Sequence, residues 1–222
     1  MKQFQEDFVN YLYKTGALKF GNFTLKSGRE SPFFVNLGDF NKNHDMCVLA
    51  NYYALAILET YGDDFNVIFG PAYKGIPLAV GTAMILNMKY GYKNIAYCSN
   101  RKEIKDHGDT GILLGHKLKE GDRVVIIEDV ITSGKSMEET VPILQANKVK
   151  IVGSMVSLDR HEVGKGGIVT ALKEVSDLYG FPTAAIVSMP EAVEYLRGQG
   201  KITDEQYAAI NAYYEQYGPK EE

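Results

Sequence analysis

The sequence has two cysteines, no tryptophan and no apolar run long enough to cross a bilayer. Its amino terminus also lacks the apolar stretch of a secretory signal, so we expect a cytoplasmic protein with no membrane partner. Cys47 and Cys98 lie far apart, form no CxxC pair and have partly apolar neighbours. We therefore expect two buried, reduced thiols.

The chain also lacks the excess of positive charge that nucleic-acid-binding proteins carry. Lysine and arginine number 24 against 28 aspartates and glutamates, which gives a net charge of −4. No nucleic-acid partner is expected, and any site for an anion must be local. His44, His116 and His161 show no metal-ligand spacing, so we assign them no site role. A chain of 222 residues with 45% apolar content is long enough for one domain, 1–222, with a sizeable core.

Apolar periodicity predicts helices that alternate with strands. The helices are expected over 3–14, 44–61, 75–89, 135–147 and 168–179, with a closing helix behind a capping box of Thr203 and Gln206. Apolar strands are expected over 65–69, 94–98, 124–127, 151–158 and 184–188. This order is typical of an α/β fold with a mainly parallel sheet flanked by helices. Two short strands within 17–40 predict a small antiparallel N-terminal hood, so that about 1–40 forms the hood and the remainder the core.

Two features depart from this regular pattern. Residues 99–123 are polar with little periodicity, which predicts a long irregular loop of the kind that is often functional. Pro142 falls beyond the first turn of the helix predicted over 135–147. We expect it to kink that helix or to delay its start.

The stretch 124–136 combines several features of a ligand site. Its apolar residues predict a buried strand, and Glu128 and Asp129 stand at the carboxyl end of that strand. Small hydroxyl-bearing residues and a glycine follow, and then a helix, whose amino terminus favours phosphate. A nucleotide P-loop would need glycine at position 129, so the pattern instead suits a ribose 5-phosphate. The plainer alternative is a strand end with solvated acids and a simple turn.

A second stretch, 69–77, joins a strand to a helix through Gly70 and Gly75. Both glycines permit unusual backbone angles, so N–H groups there could wrap a pyrophosphate, with Lys74 adding charge. An ordinary strand–helix connection with a solvated Lys74 fits the residues equally well.

Positive charge is also concentrated within 99–123, at Arg101, Lys102, Lys105 and His107. Acidic residues in the same segment dilute it, so a mixed, solvated surface loop is one interpretation. The other is a cationic loop that closes over a pyrophosphate leaving group, excludes water and stabilises developing negative charge.

Together these stretches resemble a known family. The segment 124–136 looks like the 5-phosphoribosyl 1-pyrophosphate (PRPP) signature of type I phosphoribosyltransferases. Further segments make nearly the whole chain similar to orotate phosphoribosyltransferases, namely 20–34, 69–77, 100–108 and 157–160. The resemblance implies the type I phosphoribosyltransferase fold and transfer of the 5-phosphoribosyl group from PRPP to orotate, in UMP biosynthesis. It also implies Mg²⁺ as cofactor and a homodimer with shared active sites.

The resemblance assigns roles to individual residues. Lys105, Asp129 and Lys26 are the implied catalytic residues. The implied PRPP contacts are Lys26, Tyr73, Lys74, Arg101, Lys102, Lys105, His107, Glu128, Asp129, Val130, Ile131, Thr132, Ser133, Gly134, Lys135 and Ser136. The implied orotate contacts are Lys26, Phe34, Val35, Thr132 and Arg160. No residue is a direct metal ligand, because Mg²⁺ binds through PRPP, with Asp129 reaching it through water.

The same resemblance places Lys102 in the partner subunit's site and Lys26 in its own. Arg160 is the charge that pairs with the orotate carboxylate. Family members often carry a second phenylalanine where this chain has Val35, so a backbone contact persists there but ring stacking does not. Each of these residues also has a plainer interpretation: Lys26 as a lysine in a turn, Phe34 as a core aromatic and Arg160 as a surface arginine.

Two other functions remain as alternatives. A phosphoribosyltransferase for a purine or for uracil would have no carboxylate to pair with Arg160. A PRPP-sensing regulator that does not catalyse would be expected to carry a basic face and a degraded cationic loop. The negative net charge and the retained loop cations argue against the regulator.

Overall fold

The computed structural model describes residues 1–25, 28–40, 43–105, 111–132 and 134–220, with backbone alone for Asp39, Asn43, His44, Ile104 and Lys105. The helices are α1 (Gln3–Thr15), α2 (Asn43–Tyr61), α3 (Gly75–Lys89), α4 (Lys135–Ala146), α5 (Ala171–Tyr179), α6 (Met189–Gly198) and α7 (Asp204–Tyr217), with a 3₁₀ turn at Leu37–Asp39. The strands are β1 (Leu18–Thr24), β2 (Glu30–Val35), β3 (Val67–Phe69), β4 (Ala96–Lys105), β5 (Gly111–Gly115), β6 (Arg123–Glu128), β7 (Lys150–Asp159) and β8 (Thr183–Ser188). Among the described residues, no helix is long and apolar enough to cross a membrane.

The main sheet has the order β5-β4-β3-β6-β7-β8 within the described part of the chain. All neighbouring pairs are parallel except β4 and β5, which are antiparallel. The α/β fold with a mainly parallel sheet is therefore confirmed. Because β3, β6 and β7 are adjacent and parallel, the segments that follow them meet at one edge of the sheet.

The segment 99–123, predicted as an irregular loop, contains strand structure instead. β4 continues to Lys105, and β5 pairs back against it, with Cys98 opposite Gly115 and Lys105 opposite Gly111. The prediction was wrong because Arg101 and Lys102 lie outside the buried part of the sheet. A strand that does not alternate between core and solvent has no apolar period in its sequence.

The predicted N-terminal hood is confirmed as a separate two-stranded antiparallel sheet of β1 and β2. Its residue Phe33 is fully buried and meets Tyr213 of α7 edge-on, with ring centroids 5.5 Å apart. The hood therefore packs against the closing helix through the core, beside the end of β7.

Helix α4 begins at Lys135 and runs through Pro142 without a later start. The expectation of a delayed start was therefore wrong. Proline at this position removes the N–H that would bond the carbonyl of Glu138. Glu138 is exposed, so water can satisfy that carbonyl and the helix continues.

The two cysteines differ in environment. Cys98 is fully buried in β4, and that burial raises the pKa of its thiol to about 12. Cys47 is exposed, so the prediction of burial was wrong for it. It lies near the start of α2, between Met46 and Leu49, and points away from the core that both of these residues contact.

Candidate active site at the carboxyl edge of the sheet

Two carboxylates end the central strand β6. Glu128 is buried, and Asp129 beside it has a side chain that is 13% exposed. Asp129 N donates to Glu128 Oε1 over 3.2 Å, and Val130 N donates to Asp129 Oδ1 over 2.8 Å. These backbone bonds hold both carboxylates at fixed positions, where they can accept bonds from the hydroxyls of a sugar.

Neighbouring elements support the end of this strand. The hydroxyl of Tyr53, fully buried on α2, donates to the Glu128 carbonyl over 2.7 Å. Ser157 of β7 donates to the Asp129 carbonyl from both Oγ and N, at 2.6 and 3.0 Å. The backbone on which the acids are mounted is thus tied to α2 and β7.

The burial of Glu128 has an electrostatic cost. Loss of water around its carboxyl, followed by the nearby charge of Asp129, raises the pKa of Glu128 to about 7. The ligand-free protein therefore keeps the Glu128 carboxyl protonated to a higher pH than an exposed glutamate. A ligand that donates hydrogen bonds here favours the ionised form.

Replacing Glu128 with Gln should stabilise the ligand-free protein above pH 7. The folded-state pKa is raised above the unfolded value of 4.5, so the contribution of Glu128 to stability falls as pH rises from about 4.5 to about 7, in total by roughly 3 kcal/mol. Glu128→Gln removes this loss. Urea unfolding at pH 5 and pH 8 measures the effect.

Glu120→Gln serves as the control, because Glu120 pairs with Lys148 on the exposed surface. It should change stability little at either pH. If Glu128→Gln gains no more at pH 8 than at pH 5, the carboxyl is not destabilised by its burial.

The loop after β3 closes on itself through two glycines. A Cβ added to Gly70 would lie 2.0 Å from the carbonyl oxygen of Gly75, and one added to Gly75 would lie 2.7 Å from the carbonyl carbon of Gly70. Such distances leave room only for glycine at both positions. Asn100 Oδ1 accepts a bond from Ala72 N over 3.0 Å, which fixes the loop to β4.

An ion pair joins this loop to the carboxylates. Lys74 Nζ lies 2.5 Å from Asp129 Oδ2, and the lysine side chain is 65% exposed while that of Asp129 is largely covered. The two stretches that the sequence linked to one ligand therefore meet. Tyr73, beside Lys74, is largely exposed at the same edge.

The start of α4 is open to a phosphate. Its N-cap residue is Gly134, with φ of +69°, and glycine has no side chain to cap the first turn. The first N–H groups of the helix, from Lys135 and Ser136, point out of the helix end toward any bound anion. Ile131, in the preceding loop, is buried and anchors it, while Thr132 is exposed.

The cationic arm formed by β4 and β5 reaches α4. Lys102 Nζ lies 2.5 Å from Glu139 Oε2, and this bond lowers the pKa of the Glu139 carboxyl. Arg101 precedes it and is half-buried. In this arrangement Lys102 is paired within its own chain, so it must leave Glu139 before it can contact a ligand.

Arg160 lies just beyond the end of β7. Its guanidinium makes two bonds to Glu162 Oε1, of 2.9 and 2.6 Å, and lies 4.8 Å from the ring centroid of Phe33. Phe34 faces the other side of β2 and stacks on Phe23, with centroids 5.5 Å apart. Arg160 and the hood thus meet just beyond the carboxyl end of β7, the strand next to β6.

Comparison with known proteins agrees with this arrangement. A family model described as a phosphoribosyl transferase domain matches residues 37–168. A protein of Agathobacter rectalis named orotate phosphoribosyltransferase is 56% identical over 227 residues, covering 99% of this chain and 100% of the relative. The chain belongs to the orotate phosphoribosyltransferase family.

Other members support the assignment. An orotate phosphoribosyltransferase of Lachnoclostridium phytofermentans is 54% identical, covering 98% of this chain and 99% of the relative. The crystal structure of the orotate phosphoribosyltransferase of Francisella tularensis superposes with a TM-score of 0.84 at 33% identity, covering 96% of this chain and 99% of that one. The fold predicted from the sequence is therefore the fold of the family.

Some predicted orotate phosphoribosyltransferase site residues lie outside the described part of the chain. These are Lys26, His107 and Ser133, together with the side chain of Lys105. The structure brings together Lys74, Glu128, Asp129 and the start of α4, whereas Arg160 contacts Glu162, Phe33 and Tyr214 beyond the end of β7. Val35 packs against the core beside Leu18, its partner in β1.

Several residues that shape this phosphoribosyltransferase site were not predicted. Phe33, rather than Phe34, lies against Arg160, and alternation along β2 could have separated the two faces. Tyr53, Asn100 and Glu162 carry no local sequence signal, since each acts through a contact that only the fold creates.

Proposed function

We propose that this orotate phosphoribosyltransferase transfers the 5-phosphoribosyl group of PRPP to orotate at the carboxyl edge of its main sheet, giving orotidine 5′-monophosphate and pyrophosphate. One observation carries the proposal: the Lys74–Asp129 pair joins the loop after β3 to the acids after β6. The reaction belongs to pyrimidine biosynthesis, which we place in the cytoplasm.

PRPP would lie across the ends of β3 and β6. Glu128 and Asp129 accept bonds from the ribose hydroxyls, and the N–H groups of 134–136 bind the 5-phosphate. Tyr73, Lys74 and the backbone of 70–77 hold the pyrophosphate. For this Lys74 must turn from Asp129 to the ligand, which its exposed side chain permits.

The chemistry asks little of a general base, because orotate is already an anion. The bond that breaks joins the ribose to the pyrophosphate oxygen, and we expect a transition state with oxocarbenium character. Catalysis then depends on stabilising the departing pyrophosphate and on excluding water. We assign the first task to Lys105 with Arg101 and His107, and the second to closure of the β4–β5 arm.

The residues present fit a magnesium ion that comes with the substrate. The described residues contain no group of three or more side chains able to hold a metal. Mg²⁺ prefers one or two carboxylates together with substrate phosphate oxygens. Asp129 would contact the ion through water, and the bound ion would neutralise charge on the pyrophosphate.

Base recognition falls to residues around the hood. We assign the orotate carboxylate to Arg160, and the ring to the pocket formed by Phe34, Val35, Thr132 and Lys26. A guanidinium suits a carboxylate because it offers parallel N–H donors. Purines and uracil carry no carboxylate and would leave this charge unpaired.

We also propose a homodimer formed through the outer face of α3. Met84 and Met88 are 54% and 80% exposed there, and with Val80, Ile95 and Tyr97 they line an open groove of about 560 Å³. An exposed apolar patch of this kind is typical of an interface. Tyr97 lies on β4, so a second copy seated on this face would contact the base of the cationic arm.

Mixed dimers of Lys102→Ala and Asp129→Asn subunits should test site sharing. Each variant alone should be nearly inactive, because every site lacks one of the two side chains. If Lys102 serves the partner's site, a heterodimer contains one complete site and recovers about half of the wild-type activity. Purified heterodimers carrying two different tags are assayed for orotidine 5′-monophosphate. No recovery in confirmed heterodimers would contradict the shared site.

The function itself is tested by substrate choice. The protein is mixed with Mg²⁺ and PRPP and offered orotate, uracil, adenine or hypoxanthine in turn, and pyrophosphate release is measured. Release with orotate alone is expected. Release with a neutral base at a similar rate would overturn the role of Arg160.

A further inference from the structure

Glu162 connects three parts of the molecule through one carboxylate. Its Oε1 accepts the two bonds from Arg160 and a third from Tyr213 Oη over 2.8 Å. Its Oε2 lies 3.1 Å from Nη1 of Arg29. Arg160 follows β7, Arg29 precedes β2 in the hood, and Tyr213 lies on α7. Glu162 therefore links the hood and α7 to Arg160.

Glu162 occupies one edge of the Arg160 guanidinium, the edge formed by Nε and Nη2. None of the bonds among the described residues uses Nη1. A guanidinium can bind a second carboxylate through its remaining N–H groups. The side chain of Arg160 is only 9% exposed and lies against Phe33. The orientation of its remaining N–H groups, including those of Nη1, is therefore fixed.

The charges around Glu162 leave room for an anion. Two guanidinium groups share this one carboxylate. Asp159, the other nearby acid, accepts a bond from His161 N over 2.8 Å. Arg29, Arg160 and Glu162 together carry one positive charge in excess, in a largely covered place, and no bond among the described residues pairs Asp159 with either guanidinium. An anionic base can neutralise it, whereas a neutral base cannot.

We propose that Glu162 is a positioning residue for the base: it holds Arg160 so that the remaining edge of the guanidinium meets the carboxylate of orotate. Arg29 and Tyr213 hold Glu162 in turn. Glu162 does not touch the base and acts only through Arg160. This inference rests on the role proposed above for Arg160.

Glu162→Gln keeps the size of the side chain and removes its charge. We expect the KM for orotate to rise about tenfold, while kcat and the KM for PRPP stay within about twofold, since only base binding changes. Tyr213→Phe, which removes one donor to the carboxylate, should raise the orotate KM about threefold. Glu162→Asp should recover part of the loss because it restores the charge. Glu120→Gln, at an exposed pair, should leave every constant unchanged.

Equal increases in KM for PRPP and orotate, or an unchanged orotate KM in both Glu162→Gln and Tyr213→Phe, would overturn the inference. Arg160→Met separates the two proposals. If it raises the orotate KM and Glu162→Gln does not, only the role of Glu162 fails. If neither variant raises it, the role of Arg160 fails as well. If Glu162→Gln does not fold, the orotate KM of Tyr213→Phe tests the role of Glu162 instead.

Discussion

Lys105→Ala should lower kcat by about 100- to 1,000-fold, the usual effect of removing a group that stabilises charge in the transition state. Lys105 ends β4, directly opposite Gly111 at the start of β5, so it stands at the outer end of the cationic arm. We assign its charge to the departing pyrophosphate. That charge develops only as the bond breaks, so ground-state binding of PRPP should change less than about threefold.

The measurement needs both the rate of the chemical step and the dissociation constant for PRPP. Single-turnover rates report the chemical step, and equilibrium binding of PRPP with Mg²⁺ reports the ground state. Lys148→Ala is the matched control, because Lys148 pairs with Glu120 on the surface far from this edge. A Lys105→Ala enzyme with unchanged turnover would remove the arm from the catalytic mechanism.

Gly70→Ala should disable PRPP binding through a clash of backbone atoms. The new Cβ would lie 2.0 Å from the oxygen and 2.4 Å from the carbon of the Gly75 carbonyl, and neither can rotate away as a side chain would. The loop must open, which moves Lys74 and the start of α3. We expect a loss of about 2–3 kcal/mol in stability, and a fall of about 100-fold in kcat/KM for PRPP.

Gly198→Ala provides the comparison. Gly198 ends α6, and a Cβ added there meets no atom within 4 Å. This substitution should be neutral or slightly stabilising, because alanine loses less backbone entropy than glycine in a helix. Urea unfolding and PRPP saturation curves are compared for both variants. A Gly70→Ala enzyme within threefold of wild type would show that the close approach of Gly70 and Gly75 is not required for binding.

Sequence reasoning succeeded where a local rule dictates the structure. The bounds of α3 follow from its apolar pattern, and the capping box of Thr203 and Gln206 starts α7 as predicted. The strand that ends at Glu128 was predicted because a run of apolar, β-branched residues is typical of a buried strand. The resemblance assigned Lys74 and Asp129 to one ligand, and the two side chains do meet, because parallel strands end at the same edge of the sheet.

The remaining parts depended on contacts between distant segments. The outer half of β4, from Arg101, leaves the buried part of the sheet and pairs with β5, so this part of the strand shows no apolar period. The partners of Arg160 come from β2, from α7 and from its own loop, and no spacing in the sequence relates these. Pro142 does not delay the start of α4, since the cost of a missing N–H depends on whether the freed carbonyl can reach water.

The ion pair between Lys74 and Asp129 has a consequence for the ionic-strength dependence of the enzyme. Each lysine that meets a phosphate normally displaces a bound counterion, which makes affinity fall steeply as salt rises. Lys74 already carries its counterion within the protein, as the carboxylate of Asp129. In the proposed binding mode, PRPP would therefore exchange one partner of Lys74 for another at this position and would release little salt.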